Sequence, residues 1–248
     1  MMNLKEIFVR LEQIIDEYSE NEAKMWSKNI LLNNKKRYLN DLKIINRYNE
    51  KEEILEIGSA PYHLTYMLSE MNYKVIGLDL DPSRFSKLID KMDLNIIKCD
   101  IEKTSIPFEN NRFKFIIFNE IFEHLRIDPI STLKEINRVL HPEGYLLLTT
   151  PNLYSIQCIL FFILGKGFDN PYKQFKKLHE IGHMGHTRLY STRQLNEFLR
   201  NTGFEVIKVS RKSFKSLPGI LAPLNIIRWI FPRSHSYIIS ISKKKLVQ

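Results

Sequence analysis

Cysteine is almost missing from this chain. The two present, Cys99 and Cys158, are far apart and form no Cys-x-x-Cys pair, which excludes a disulfide framework and a cysteine-based zinc site. Long apolar runs are missing too. Ile156–Leu164 and Leu217–Phe231 are the segments that come nearest, the second broken by Pro218, Pro223 and Arg228. Both fall short of the ~20 apolar residues that a bilayer span needs. Lys5, Glu6 and Arg10 interrupt the first apolar residues, so a secretory leader is not expected and a reducing cytoplasm is the natural setting. There is no internal repeat, and low complexity goes no further than local Lys and Asn enrichment.

What is present is enough for one substantial core: 248 residues, 44% of them hydrophobic. The formal net charge of +9, from 37 Lys and Arg against 28 Asp and Glu, raises the prospect of an anionic partner. The basic residues are spread out, however. Their one dense run, Lys243, Lys244 and Lys245, reads as a solvated tail.

Leu4, Ile7, Phe8, Leu11, Ile14, Ile15 and Tyr18 recur at three- and four-residue steps and predict an amphipathic first helix, the start of a helical cap over residues 1–50. A polar, Asn- and Lys-rich stretch follows it. From Glu53 the pattern changes to short apolar runs at Ile54–Ile57, Val75–Leu78, Leu94–Ile97, Phe113–Phe118 and Tyr145–Leu148, separated mostly by helix-like segments. Such alternation predicts an α/β chain whose sheet is parallel with crossover helices. Residues 152–190 read as an insertion or lid and 211–234 as an apolar insertion before the last strand. Between them Ser191 and Gln194 predict a capped helix ending at Gly203. Phe204–Val209 and Tyr237–Ile241 bring the strands to about seven, within a single domain.

The most informative stretch is ILEIGSAPYHLTYML, a strand ending in Glu56-Ile57-Gly58 that runs through a tight turn of small residues into a helix. Gly58 and Ala60 leave room for a ligand beside the backbone, and a helix start offers free N–H groups. The strand VIGLDLD then places Asp79 at its carboxyl end, where an acid can accept hydrogen bonds from both ribose hydroxyls of an adenosine-containing ligand. A third strand ends in Cys99-Asp100-Ile101 and a fourth in Asn119-Glu120. Open parallel sheets bind ligands at that edge.

With LEIGSAPYHLT, VIGLDLDPS, NIIKCDIEKTSIPFENNRFKFIIFNEIFEHL and EINRVLHPEGYLLLTTPN, the chain resembles the class I S-adenosylmethionine-dependent methyltransferases from about Glu53 to Phe204, particularly their subgroup acting on small molecules, lipids and glycans. The resemblance implies a Rossmann-like, doubly wound, seven-stranded and mostly parallel sheet with helices on both faces and an antiparallel last strand. It implies S-adenosylmethionine as cofactor, its methionine end held by Glu56, Gly58, Ser59 and Ala60, its ribose by Asp79 with Leu80 alongside, and its adenine by Asp100 and Ile101. Asn119 and Glu120 would close the pocket near the sulfonium. One departure is the turn itself: where the family has Gly-x-Gly-x-Gly, this chain has Gly58-Ser59-Ala60-Pro61-Tyr62, so that Tyr62 thickens the wall. A nicotinamide dehydrogenase would need glycine where His63 stands.

Methyl transfer from a sulfonium is an in-line displacement that depends on alignment and exclusion of water. A hydroxyl acceptor must also lose a proton, which singles out His124 and His186 as catalytic candidates, with His183 beside the latter in HMGHTRLY. That string also offers Arg188 and Tyr190 to an anionic acceptor. Gly182 and Gly185 disfavour a helix that would pair His183 with His186, and no acidic partner is near in sequence, so no metal site is expected. A small-molecule, sugar or lipid-linked acceptor is expected rather than nucleic acid, because Asn119-Glu120-Ile121-Phe122 replaces the Asn/Asp-Pro-Pro-Tyr turn that holds a flipped base. The competing readings are a nucleic-acid methyltransferase and a non-catalytic binding protein of the same fold. The apolar segments, with Lys166, Arg228 and Arg233 at hand, fit a lid, a dimer contact or a peripheral membrane surface.

Overall fold

The computed structural model describes residues 3–18, 21–168, 170–181, 185–217 and 219–245. Seven strands form one sheet: β1 Ile54–Ile57, β2 Val75–Asp79, β3 Ile96–Lys98, β4 Phe113–Asn119, β5 Leu140–Pro151, β6 Phe204–Lys212 and β7 Tyr237–Lys244, in the spatial order β3-β2-β1-β4-β5-β7-β6. β1 pairs in parallel with β2 and β4, and β2 with β3, while β6 and β7 pair antiparallel. The four residues of β1 are all buried, as expected of a strand with neighbours on both sides and cover on both faces.

The described residues divide into two compact units, the first made of residues 1–117 and 138–146 and the second of 118–137 and 147–248. In the first, α1 (Leu4–Tyr18) buries Ile7, Phe8, Leu11, Ile14 and Ile15 on one face. The polar stretch after it forms a second helix, α2 (Asn21–Tyr48), within the expected helical cap. Its buried positions Ser27, Leu31, Tyr38, Leu42 and Ile45 lie one helical turn or two apart. Polar members of that stripe weaken the apolar period, which is why the sequence pattern hides this helix. The short helices α3 (His63–Glu70) and α4 (Ser86–Met92) follow β1 and β2. Asp93 adopts the left-handed conformation at the end of α4, so β3 starts at Ile96, two residues later than the apolar run suggests.

After α5 (Pro129–Val139), the second unit holds α6 (Ile156–Ile163), α7 (Pro171–Ile181), α8 (Thr192–Asn201) and α9 (Asn225–Ile230). The capping box of α8 forms as the sequence predicts: Ser191 Oγ accepts from the Gln194 amide and Gln194 Oε1 from the Ser191 amide, at 3.2 and 2.9 Å. Gly203, at φ +90°, ends the helix. Two sequence expectations fail here. Lys243 and Lys244 are not a solvated tail, because β7 continues along β6 to place them opposite Glu205 and Phe204. Arg228 is buried rather than at a surface. It donates to the Lys215 carbonyl at 2.9 Å and to Asn225 Oδ1 at 3.0 Å, tying together the segment between β6 and β7. Among the described residues no helix is long and apolar enough to cross a membrane.

Candidate functional site

In the first unit the glycine turn is fastened to the end of β2. The amides of Gly58 and Ser59 both donate to the Leu78 carbonyl, at 2.8 and 3.0 Å. Gly58 has φ +72°, a left-handed conformation that favours glycine. Gly77, a residue the sequence reading passes over, is needed for a different reason: a Cβ there would lie 2.6 Å from Ser59 Oγ and 2.5 Å from Ile96 Cδ1. The turn and the neighbouring strand approach as closely as they do only because Gly77 carries no side chain. Its signal in the sequence is a glycine interrupting an otherwise apolar strand.

Asp79 is buried at the carboxyl end of β2, with Oδ1 accepting the Asp81 amide at 2.8 Å. Burial raises its pKa, opposed by backbone hydrogen bonds from Asp81 and Ala60 and by the charge of Arg84. The Ala60 contact ties the turn to the strand-end acid. Leu80 is left 45% exposed beside it, an apolar side chain only partly covered by protein. Asp100 accepts the Glu102 amide at 3.2 Å and pairs with Lys103 at 3.0 Å, and Ile101 is half-buried.

Glu56 and His63 are more deeply placed than the sequence suggests. The Glu56 carboxylate accepts the Thr65 hydroxyl at 2.5 Å, and burial pushes its pKa up to about 8 against that hydrogen bond, helped by the charge of Asp41. His63 begins α3 and lies 2.8 Å from Ser27 Oγ and 3.1 Å from the Tyr38 hydroxyl, both from α2. Burial, aided by the charge of Arg37, depresses its pKa to about 3 and keeps it neutral. The Tyr62 ring is fully buried and packs edge-on to Phe85.

The second unit assembles a different set of side chains. Glu120, at φ +58° just beyond β4, accepts the Thr149 hydroxyl at 2.9 Å, next to the half-buried Asn119. Glu123 is wholly buried in the 3-10 turn Phe122–His124 and accepts the Thr150 hydroxyl at 2.9 Å. Its other carboxylate oxygen is 3.9 Å from His124 Nε2, and the His124 and His186 rings meet with centroids 5.0 Å apart. One ligand atom from each of Glu123, His124 and His186 lies within 4.8 Å of the other two. Thr187 fixes this meeting of distant segments, its amide and hydroxyl both donating to the Glu123 carbonyl at 2.9 and 2.8 Å. The acidic partner that His186 lacks in sequence is therefore supplied by the fold. His183 lies outside the described residues. Tyr190 is buried against Phe122 and Phe198, but with Arg188 and Arg126 it lines one open concavity. Arg193, Arg200, Arg211 and Arg233 line another with Asn152 and Tyr154.

Residues 12–209 match the family model of the methyltransferase domain. The chain belongs to this methyltransferase family. An uncharacterized protein of Methanocaldococcus jannaschii is 26% identical to it over 203 residues, which are 78% of this chain and 77% of that one. A tRNA U34 carboxymethyltransferase of Nautilia profundicola is 34% identical over 106 residues, 41% of this chain and 35% of the enzyme. Among solved structures, an S-adenosylmethionine-dependent methyltransferase of Thermotoga maritima shares the fold with a TM-score of 0.61 at 19% identity, covering 96% of this methyltransferase and all of its own chain (100%). The protein is accordingly a methyltransferase that uses S-adenosylmethionine.

The residues present fit that cofactor. Asp79, held by amides yet with lone pairs to spare, suits a ribose diol, and the exposed Leu80 suits the face of a base. Gly58, at φ +72°, carries the turn past the end of β2 with no side chain of its own.

Proposed function

We propose that this methyltransferase acts on a lipid-linked or otherwise apolar small acceptor, a sugar-bearing lipid included, and works at a membrane surface. The observation that supports this reading is the exposure of apolar side chains in the second unit: Phe162 and Trp229 are each 84% exposed, Ile163 74%, Leu164 64% and Phe231 62%. They sit on or next to α6 and α9, with Lys166 and Arg233 nearby to meet anionic headgroups. So much exposed aromatic and aliphatic surface marks an interaction site rather than ordinary solvent-facing structure.

S-adenosylmethionine, when bound, supplies the methyl group. In this reading Asp79 orients the ribose, Glu56 and the Gly58–Ala60 turn border the methionine end, and Asp100 and Ile101 border the base. His124 and His186 handle the proton that a hydroxyl acceptor gives up.

A second reading, a nucleic-acid acceptor, draws on the four arginines that line one concavity and on the tRNA-modifying relative. One experiment separates them. The protein is incubated with methyl-labelled S-adenosylmethionine and a cell extract, and the label is followed into lipid, oligosaccharide and RNA fractions. Label in the organic phase is expected; label confined to RNA would overturn the lipid reading.

A further inference from the structure

We propose that Glu123, His124 and His186 form a binding site for a divalent transition-metal ion of the zinc type. Two imidazoles and a carboxylate are a donor set that zinc, cobalt and iron accept, and three protein ligands leave positions open for water or for an acceptor oxygen. Tetrahedral ligands ~2.0–2.2 Å from a common ion stand ~3.3–3.6 Å apart. The three donor atoms lie within 4.8 Å of one another, and the Glu123–His124 pair is at 3.9 Å. Closing the set on an ion draws these atoms in by up to about 1.5 Å, by rotation of the two histidines, which are not fully buried.

The surroundings are built as a metal site requires. Glu123 offers its carboxylate from a position withdrawn wholly from water, where a bound ion would be shielded from solvent on that side. Thr150 orients the Glu123 carboxylate through its second oxygen, as the outer partners of ligating carboxylates do. Thr187 hydrogen-bonds to the Glu123 and Leu125 carbonyls and so fixes the backbone beside His186 against the turn that carries the other two donors. With the ion bound the two histidines no longer act as bases and the ion would acidify the acceptor hydroxyl instead, a use that rests on the methyl-transfer reading; the site itself does not.

The test uses the untagged full chain, stripped with a chelator and titrated with Co²⁺ as a spectroscopic probe, then with Zn²⁺ in competition. One equivalent should bind with ligand-field bands of a four- or five-coordinate site and be displaced by zinc. His124→Ala and His186→Ala should each weaken binding more than about 100-fold, and Thr150→Val by about 10- to 100-fold. S-adenosylhomocysteine affinity, measured on the same preparations, reports whether each variant is folded. Failure of cobalt to bind at about 100 µM by a chain that binds the nucleoside would overturn the site. So would unchanged bands in the folded double variant. Cobalt binding by a chain that takes no nucleoside would instead overturn the cofactor assignment and leave the metal site standing.

Discussion

Two regions of this chain use their apolar residues in opposite ways. In the first unit the apolar side chains of β1, most of those of β2 and those of α3 are buried, and the polar groups Glu56, His63 and Asp79 among them each have a specific partner. In the segments after Pro151, α6 and α9 turn phenylalanine, isoleucine and tryptophan outward while the charged Arg228 is buried with three hydrogen bonds. The first arrangement fixes polar groups in a dry frame. The second leaves apolar side chains exposed, so hydrophobic content alone does not identify a core.

The largest expected effect probes the buried polar groups through pH. Glu56 has its pKa raised from 4.5 to about 8 by burial, so the stability tied to its protonated form is complete below 4.5 and is lost as pH rises through 8. His63 has its pKa lowered from 6.5 to about 3, so its contribution is complete above 6.5 and is lost as pH falls toward 3. Between 4.5 and 6.5 the two slopes oppose each other, giving a plateau flanked by declines of about 1.4 kcal/mol per pH unit. Denaturant melts across pH should show Glu56→Gln losing the alkaline decline and His63→Gln the acid one. A parent protein with no alkaline decline would show that Glu56 is ionised and paired in the folded state.

Asp79→Ala comes next. Removing a charged acceptor from two ribose hydroxyls should cost about 2–4 kcal/mol, near 100-fold or more in S-adenosylhomocysteine affinity by calorimetry. Parent-like binding would move the ribose away from β2.

Why these residues were legible and others were not follows from chain distance. The turn at Gly58 and the acids at Asp79 and Asp100 are products of local strand-turn-helix geometry, so the spacing of residue types reveals them. The capped α8 was legible for the same reason, its signals lying within four residues. His63 finds its partners 36 and 25 positions away on α2, a helix masked by its Asn and Lys content. The brace that brings His186 to Glu123 spans 64 positions. No local pattern encodes such pairings. The sequence also showed Leu217–Phe231 as apolar without showing that its arginine, Arg228, is the buried residue and Trp229 the exposed one.

On the outward-facing side, replacing Phe162 and Trp229 together by serine removes most of the aromatic surface of α6 and α9. Each ring contributes about 1–2 kcal/mol if partly inserted, so partition onto vesicles with anionic lipids should fall about 30-fold or more while nucleoside affinity stays unchanged. Equal partition of parent and variant in sedimentation assays would remove the membrane from the account of this surface.

The smallest effect compares two serine caps. Ser191 accepts from the Gln194 amide at the start of α8, which buries Leu195 and Leu199; Ser155 accepts from the Cys158 amide at 3.3 Å at the start of α6, where Ile156 is the buried residue. Ser191→Ala should cost about 1 kcal/mol, lowering Tm by about 2–4 °C. Ser155→Ala should cost less, because an exposed α6 can fray with little loss of packing. If the two substitutions cost the same, α6 is held in solution by contacts beyond its own chain, and a second copy covering its apolar face would become the better explanation of that surface than a membrane.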